Sequence, residues 1–303
     1  VKAWTPEVFA QRVEAEWEHI KDGPSTLTEA EFSRVKSFFP LPQYQEVNAA
    51  ESTSALSAIA GENTAFSRWL DRNTQMQKQA GYRSVTLSLK PAGVAPGDVT
   101  DKQLETIADL ADRYSFSELR ATHNQNVVLT DVIESDLFSL WQQAKESGLA
   151  TPNIGTINDM ICCPGGDYCS LANAKSIPVA EAIQRKFSDL DYVYDLGDLE
   201  LNISGCMNAC GHHHIGDIGI LGLDKAGVEN YQLTLGGRGG LAAKLGDKMG
   251  PGFSEDDLLL AIDRMLDTFL VLRLSSSETF AATVERVGTE PFRAALYEVR
   301  NAA

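Results

Sequence analysis

Cysteine constrains this chain most, because its few copies are concentrated in one region. All five cysteines of the 303 residues fall in two groups, Cys162, Cys163 and Cys169 in the first and Cys206 and Cys210 in the second. A secreted disulfide scaffold is typically small, with cysteines spread through the chain. Clustering within a chain of this length instead favours metal binding or redox chemistry.

The spacing of the cysteines distinguishes between kinds of metal site. Cys163 and Cys169 enclose five residues, Cys206 and Cys210 enclose three, and 36 residues separate the two pairs. Zinc sites mostly use tighter spacing in both pairs, since one ion must be wrapped at short metal–sulfur distance. A 4Fe–4S cubane is larger and presents four separate irons. The spacing favours the cluster, and it leaves a zinc site and buried or redox-active thiols as alternatives.

The first group holds one cysteine more than a four-thiolate site needs. Pairing Cys162 with Cys169 would enclose six residues, so spacing alone does not exclude Cys162 as a ligand. Adjacent residues point in different directions, so we expect only one of Cys162 and Cys163 to bind metal. Three consecutive histidines, His212 to His214, follow the second pair directly before a predicted strand. Alternate side chains of a strand face opposite sides, so we predict that the histidines are not ligands.

The hydrophobic pattern predicts three regions. Residues 1–60 have the pattern of helices and a linker. In residues 61–150, the order strand, helix, strand, strand, helix predicts a ferredoxin-like split βαβ unit that needs one further strand. Residues 151–303 combine the cysteine loops with strands and helices, among them a strongly amphipathic helix in "SEDDLLLAIDRMLDTFLVLR". The predicted fold class is α+β with α/β-like layers, a ferredoxin-like unit followed by a mixed-sheet domain.

Charge and hydropathy narrow the partners. The net charge of −16 would repel nucleic acid and anionic membrane surfaces, so we expect neither as a partner. Apolar runs are far shorter than the roughly 20 residues of a membrane helix, and the first residues lack a signal-peptide pattern. We therefore expect a cytoplasmic protein. The chain begins with Val and an immediate amphipathic helix, which suggests a piece cut from a longer chain.

Several quoted stretches together resemble one family. "CCPGGDYC", then "CMNAC", then "YQLTLGGRGG" are similar to the siroheme-containing nitrite and sulfite reductases. "SELRATHNQNVVLTDV" and "GTEPFRAALYEV" extend the resemblance on both sides. It implies that Cys163, Cys169, Cys206 and Cys210 hold a 4Fe–4S cluster. It further implies that Cys210 links one cluster iron to the siroheme iron, whose other face binds substrate.

The resemblance also implies residues around the siroheme. Arg120, Thr122, Asn124 and Gln125 match a recurring segment of the family, and Asn208 lies between the paired cysteines. Arginine and amide side chains suit a cofactor that carries many carboxylates. The alternative is that the segment from Arg120 to Gln125 holds a strand junction together.

The resemblance covers only the C-terminal half of such a reductase. In the family, the residues that bind the substrate anion lie in the other half, so we expect no catalytic residue of that kind here. The implied function is six-electron reduction of sulfite to sulfide, or of nitrite to ammonia, with electrons from a ferredoxin or a flavoprotein. The isolated chain is expected to be inactive, and to associate with itself or with a separate N-terminal half. The alternatives are a haem-free 4Fe–4S electron-transfer module and a cofactor-free or zinc-binding thiol fold.

Overall fold

The structure is a computed structural model that describes residues 4–297, and it divides into two compact units. The first unit, Val1–Glu46, contains α1 (Pro6–Ile20) and α2 (Glu29–Lys36). No residue of these two helices is buried. The second unit, Val47–Ala303, contains every strand that the described residues form, and it holds all five cysteines.

A four-stranded antiparallel sheet, here called the ferredoxin-like sheet, forms the first half of the second unit. Its strands are β1 (Thr74–Met76), β2 (Tyr82–Leu87), β3 (Leu119–Ala121) and β4 (Val127–Ile133), in the order β1-β2-β4-β3. Four helices accompany it: α3 (Ala49–Glu62), α4 (Thr64–Asn73), α5 (Asp101–Tyr114) and α6 (Leu137–Glu146). The predicted order from β2 to α6 is confirmed. The further strand that the unit needs is β1, which precedes β2 and pairs with it.

The core of this half follows from sequence periodicity. Val85 and Leu87 alternate along β2 and are fully buried, as the half-buried strand pattern predicts. The capping box of Thr100 and Gln103 opens α5, whose apolar face packs on the sheet. These local signals agree with one another, so the sequence predicts this half of the molecule well.

A second sheet, here called the cysteine sheet, follows. Its strands are β5 (Ile161–Cys162), β6 (Leu201–Ser204), β7 (Ile218–Lys225), β8 (Val228–Leu235) and β9 (Asp247–Lys248), in sequential order across the sheet. Strands β5, β6 and β7 are parallel, whereas β7, β8 and β9 are antiparallel. Its helices are α7 (Ile177–Lys186), α8 (Leu190–Leu196), α9 (Glu255–Leu272), α10 (Phe280–Val287) and α11 (Glu290–Tyr297). The α+β fold class with a mixed second sheet is confirmed.

The long helix α9 anchors the core of the second half. Ser254 caps its start by accepting a hydrogen bond from the Asp257 amide, and acidic residues fill its first turn, as the helix dipole prefers. Its apolar face lies in the same buried cluster as strands β6, β7 and β8. All four residues of β6 are buried, which is typical of a parallel strand covered on both faces. The cysteine loops therefore extend from a rigid frame.

Within residues 4–297, no helix is both long enough and apolar enough to cross a membrane.

Candidate functional site

The two cysteine pairs follow neighbouring parallel strands. Cys163 comes directly after β5, and Cys206 comes two residues after β6. The Cys163 amide donates to the Ile203 carbonyl oxygen at 3.1 Å, which continues the ladder between the two strands. Since the carboxyl ends of parallel strands meet at one edge of a sheet, the fold brings together two loops that are far apart in sequence.

Glycine backbones let these two loops touch. A Cβ atom on Gly205 would lie 2.7 Å from the Ala174 carbonyl oxygen and 2.9 Å from the Cα of Gly165. Gly165 itself has a φ of +60°, a left-handed conformation that glycine adopts without steric cost. The amides of Asn173 and Ala174 both donate to the Gly205 carbonyl oxygen, at 2.8 and 3.1 Å. The contact between the loops therefore depends on two residues without side chains.

The sulfur of Cys163 accepts a backbone hydrogen bond from the other loop. The Gly205 amide donates to Cys163 Sγ at 3.0 Å, and the Ser176 hydroxyl lies 3.5 Å from the same sulfur. Cys169 is half-buried, and its amide donates to the Gly165 carbonyl oxygen at 2.9 Å. Amide donors aimed at sulfur stabilise a thiolate, and such donors tune the metal centre that the thiolate binds.

The second loop is a pair of successive turns. The Ala209 amide donates to the Cys206 carbonyl oxygen, and the His212 amide donates to the Ala209 carbonyl oxygen. The Ser204 hydroxyl accepts from the Gly211 amide at 3.1 Å and closes the loop. Cys206 is buried and Cys210 is exposed. The loop thus presents one sulfur toward the protein and one toward its surface.

Cys162 differs from the other cysteines in its surroundings. It belongs to the apolar core of the cysteine sheet, where only 3% of its surface is exposed. Burial is the main cause that raises the pKa of its thiol well above the ordinary value, with a smaller contribution from Cys163. Its Sγ lies 3.2 Å from the Cys163 carbonyl oxygen, to which it donates. A neutral buried thiol is a poor metal ligand, which favours Cys163.

A loop of the ferredoxin-like sheet contacts the strand that leads into the first cysteine loop. The Gln125 side chain donates through Nε2 to the Cys162 carbonyl oxygen at 2.8 Å. Its Oε1 accepts from the Cys162 amide at 2.9 Å. The carboxamide of Gln125 is therefore committed to the backbone of β5.

A buried ion pair reinforces this junction. Lys90 Nζ lies 2.7 Å from Asp159 Oδ1, and the two side chains are 0% and 4% exposed. The ammonium also donates to the backbone carbonyl oxygens of Asn124 and Asp159. Asn126 Nδ2 donates to the same Asp159 oxygen at 2.8 Å. Burial lowers the pKa of Lys90, and the neighbouring Asp159 carboxylate opposes that shift.

The other residues suggested for the siroheme lie in three places. Arg120 is exposed on β3 and is 3.5 Å from Glu118. Thr122 closes the β3–β4 turn, because its hydroxyl accepts from the Asn126 amide at 3.1 Å. Asn124 Oδ1 is buried without a hydrogen-bond partner, and Asn208 is exposed beside Cys210. The structure thus brings the segment around Gln125 to the cysteine strand, whereas Arg120 lies at the sheet surface.

Lys90 and Asp159 belong to no motif of the sequence that predicts a site. Lys90 lies three residues after β2 and out of step with the apolar alternation of Val85, Leu87 and Leu89, so the sequence gives only a weak signal for its burial. Asp159 gives no comparable signal, because aspartate in a loop before a strand is ordinary. Only the three-dimensional contact identifies the pair.

The histidine run does not converge on one point. His213 is buried in a short 3₁₀ turn, and its ring lies edge-to-face against that of His214 with 5.3 Å between the centroids. Burial, with a smaller contribution from His214, lowers the pKa of His213 to about 4. Across the described part of the chain, no group of three or more histidine, cysteine, aspartate or glutamate side chains is arranged to hold a metal ion.

The four cysteines other than Cys162 fit a cluster by the type of donor they supply, although in the described residues their side chains do not form a group already arranged to hold a metal ion. They are thiols carried by two loops whose backbones are in contact, and one sulfur already accepts a backbone amide. The glycine contact would be blocked by any side chain. This donor set is the one that 4Fe–4S clusters use.

Comparison with known families agrees with this site. The family model described as the nitrite/sulfite reductase ferredoxin-like half domain matches residues 75–147. The model described as the nitrite and sulphite reductase 4Fe-4S domain matches residues 155–302. The class of protein is therefore a 4Fe-4S domain preceded by a ferredoxin-like half domain. The chain belongs to the nitrite and sulfite reductase family.

Some relatives of this chain are named nitrite reductases and others are named sulfite reductases. Ferredoxin–nitrite reductase of Synechococcus elongatus is 28% identical over 226 residues, which are 72% of this chain and 42% of that protein. Sulfite reductase (ferredoxin) of Mycobacterium tuberculosis is 30% identical over 225 residues, 70% of this chain and 40% of that protein. Spinach chloroplastic ferredoxin–nitrite reductase is 32% identical over 216 residues, 67% of this chain and 34% of that protein. The chain spans about two fifths of the length of the first of these relatives.

Solved structures show the same fold. The Mycobacterium tuberculosis NirA protein superposes with a TM-score of 0.60 at 28% identity, covering 73% of this chain and 41% of that one. Dissimilatory sulfite reductase I superposes with a TM-score of 0.57 at 11% identity, covering 92% of this chain and 89% of that one. The second likeness concerns the fold alone.

Proposed function

We propose that this chain is the C-terminal half of a sulfite or nitrite reductase. The reaction would be the six-electron reduction of sulfite to sulfide or of nitrite to ammonia. The observation that carries the proposal is the contact of the two cysteine loops at neighbouring strand ends, where the Gly205 amide donates to Cys163 Sγ. The match of residues 155–302 to the family's 4Fe-4S domain supports it.

Four cysteines are proposed as the cluster ligands: Cys163, Cys169, Cys206 and Cys210. Cys162 is left out of the proposed set, and its place in the apolar core together with the raised pKa of its thiol supports that choice. Cys210 is the proposed bridge to siroheme, and its exposure leaves its sulfur accessible to a second cofactor. When bound, the cluster and siroheme would supply the electron-transfer chemistry of the reduction, and Cys210 is the residue proposed to hold both.

The role of this chain's own residues is to bind and orient. The Gly205 amide would remain a donor to Cys163 sulfur, which stabilises negative charge there. Exposed Arg120 and Asn208 would bind siroheme carboxylates, and Thr122 would hold the β3–β4 turn that follows Arg120. Asn124 Oδ1, which is buried without a partner, would accept a hydrogen bond in that assembly. The anion-binding residues would come from a preceding half, so the chain alone would be inactive.

The division of the chain stays part of this proposal. Residues 1–60 would connect the halves, residues 61–150 would form the ferredoxin-like domain, and residues 151–303 would form the siroheme and cluster domain. The donor would be a ferredoxin, as the names of the two bacterial relatives indicate for those proteins. The site of action would be the cytoplasm. The exposed Cys210 edge would be covered by the N-terminal half or by a second copy.

An anaerobic absorption spectrum, with iron and acid-labile sulfide determined on the same sample, tests this proposal. Siroheme bands with four to five irons per chain, about the content of one cubane plus one haem, support it. Iron and sulfide without haem bands would support the haem-free electron-transfer module instead. A colourless chain that remains so after anaerobic reconstitution with iron, sulfide and siroheme would refute both. Turnover of sulfite or nitrite by this chain alone, with a reduced viologen, would contradict the predicted inactivity.

Paired variants sharpen that test. Cys163→Ser should remove iron, whereas Cys162→Ser should retain it, because only the first residue is a proposed ligand. The two positions are adjacent, so general damage to the loop would affect both. Equal loss of iron from the two variants would contradict the ligand assignment.

A further inference from the structure

Strand β5 lies at the edge of the cysteine sheet, and its outer side is covered by a side chain. Alternate residues of a strand direct their backbone groups to opposite sides. The Cys163 amide donates inward, to Ile203 of β6. The amide and carbonyl of Cys162 point outward, and the Gln125 carboxamide pairs with both, at 2.9 and 2.8 Å. Gln125 thus occupies the place of a neighbouring strand.

The conformation of Gln125 is set by its own turn. It has a φ of +57°, within the turn that Thr122 closes by hydrogen bonding to Asn126. On its other side it packs against Gly97, where an added Cβ would lie 3.1 Å from the Gln125 Cβ. A residue held in left-handed backbone geometry by its surroundings often serves a function. Here the geometry aims the carboxamide at β5.

Lys90 and Asp159 hold the same two segments together. The buried ammonium joins the Asn124 carbonyl in the Gln125 turn to Asp159, two residues before β5. Asn126 adds a bond from the turn to Asp159 at 2.8 Å. Together these contacts fix the segment from Asp159 to Cys162 at both ends.

We propose that Gln125 is a positioning residue for the iron–sulfur cluster. By holding Cys162, it fixes the register of Cys163, so that the Cys163 sulfur stays aligned with the Gly205 amide. Lys90 and Asp159 support this arrangement from the ferredoxin-like sheet. The inference rests on the proposed function in one respect, which is that Cys163 is a cluster ligand.

The decisive variant is Gln125→Leu, which has a similar size and removes both hydrogen bonds to Cys162. Amide hydrogen exchange is measured on the cofactor-free chain, at Cys162 and at Gly205. Loss of the bonds should speed exchange at both positions about tenfold, since each net hydrogen bond contributes on the order of 1 kcal/mol. The Gly205 amide reports on the Cys163 sulfur directly, without any bound cofactor.

Asn73→Ala is the matched control. Asn73 is buried in the ferredoxin-like half, and its Nδ2 donates to the carbonyl oxygens of Thr86 and Thr151, at 3.0 and 3.1 Å. Asn73→Ala also removes two hydrogen bonds from a side chain to the backbone, as Gln125→Leu does, but neither of these bonds involves β5. Exchange at Gly205 should be unchanged in this variant even if its unfolding temperature falls as far as that of Gln125→Leu.

The reconstituted chain provides the second readout. Gln125→Leu should lose iron to a chelator several-fold faster than the wild type, and the reduction potential of its cluster should fall, because an amide bond to sulfur raises that potential. Asn73→Ala should change neither quantity.

The two proposals can fail separately. Unchanged exchange at Gly205 in Gln125→Leu overturns the positioning role, whatever the cofactor content. Faster exchange at Gly205 in Gln125→Leu supports the positioning of the Cys163 sulfur by Gln125. If the wild-type chain then takes up no cluster on reconstitution, the contact stands, but both the proposed function and its link to a cluster are overturned. A loaded Gln125→Leu chain with wild-type iron release and potential also overturns the positioning role.

Discussion

The contact between the two cysteine loops can be tested by adding a single methyl group. In Gly205→Ala, the new Cβ would lie 2.7 Å from the Ala174 carbonyl oxygen and 2.9 Å from the Gly165 Cα. Ordinary van der Waals contact begins near 3.4 Å. The loops would therefore have to separate by about 0.7 Å, in an interior packed as densely as an organic crystal.

The expected cost follows from which atoms are in the way. Both are backbone atoms, and the Gly205 carbonyl oxygen is itself held by the amides of Asn173 and Ala174. Overpacking of this kind costs about 1–3 kcal/mol, and atoms that cannot rotate away place the cost at the upper end. For a unit of this size, about 3 kcal/mol lowers the unfolding temperature by about 6–12 °C.

Thermal unfolding of the cofactor-free chain measures the effect, and Gly61→Ala is the control. Gly61 lies in helix α3, where an added Cβ meets nothing within 4 Å, so that change should be neutral or stabilising by up to about 1 kcal/mol. Cluster reconstitution of Gly205→Ala should also fall, since the two pairs of thiols would be farther apart. A variant with the wild-type unfolding temperature and full iron content would refute this account of the loop contact.

Three further perturbations have directions set by burial. Lys90→Met leaves the buried Asp159 carboxylate without its partner and should lower the free energy of unfolding by about 3–5 kcal/mol. The double variant with Asp159→Asn should recover part of that loss, which a double-mutant cycle with urea unfolding measures. If the losses of the two single variants simply add, the stabilising ion pair is contradicted. His213, with a pKa lowered to about 4, contributes stability above its unfolded pKa that is lost as pH falls through 4. Asp217 directly precedes β7 and accepts a hydrogen bond from the Glu200 amide at 2.9 Å. Burial raises the pKa of Asp217 to about 6, so it contributes stability that is lost as pH rises through 6. From pH 4 to 7, the unfolding free energy of Asp217→Asn should therefore rise relative to that of the wild type, and that of His213→Leu should fall relative to it. If the unfolding free energies of both variants change with pH as the wild-type value does, the pKa shifts of Asp217 and His213 are contradicted. Cys162→Ala should keep the wild-type iron content because Cys162 is not among the proposed ligands, and loss of iron from this variant would contradict the proposed ligand set.

The local elements of this fold were predictable because their signals are local. Helix α9 follows from a capping serine, acidic residues in its first turn and apolar residues at helical spacing. Strand β2 follows from alternating apolar residues. The ferredoxin-like fold predicts that a further strand exists, but the sequence does not locate it. The three residues of β1, Thr74–Met76, have no pattern that distinguishes them from a loop.

The run His212 to His214 also shows what sequence spacing does not predict. Sequence spacing argues against one ion bound by three consecutive residues, and that remains a prediction. The burial of His213 with a partnerless Nδ1 could not be inferred, because it depends on how the 3₁₀ turn packs beneath Thr234, whose hydroxyl donates to the His213 carbonyl oxygen.

The sequence by itself determined the family, the four candidate cysteine ligands and the type of most elements, because residue identity and spacing along the chain contain that information. Only the tertiary structure decided that Gln125 pairs with the backbone of Cys162 and that Lys90 meets Asp159. These residues are 37 and 69 positions apart in sequence. An amide or an ammonium can bond to any oxygen within reach, so its partner is fixed by the packing of the ferredoxin-like sheet against the cysteine strand, which no local pattern in the chain specifies.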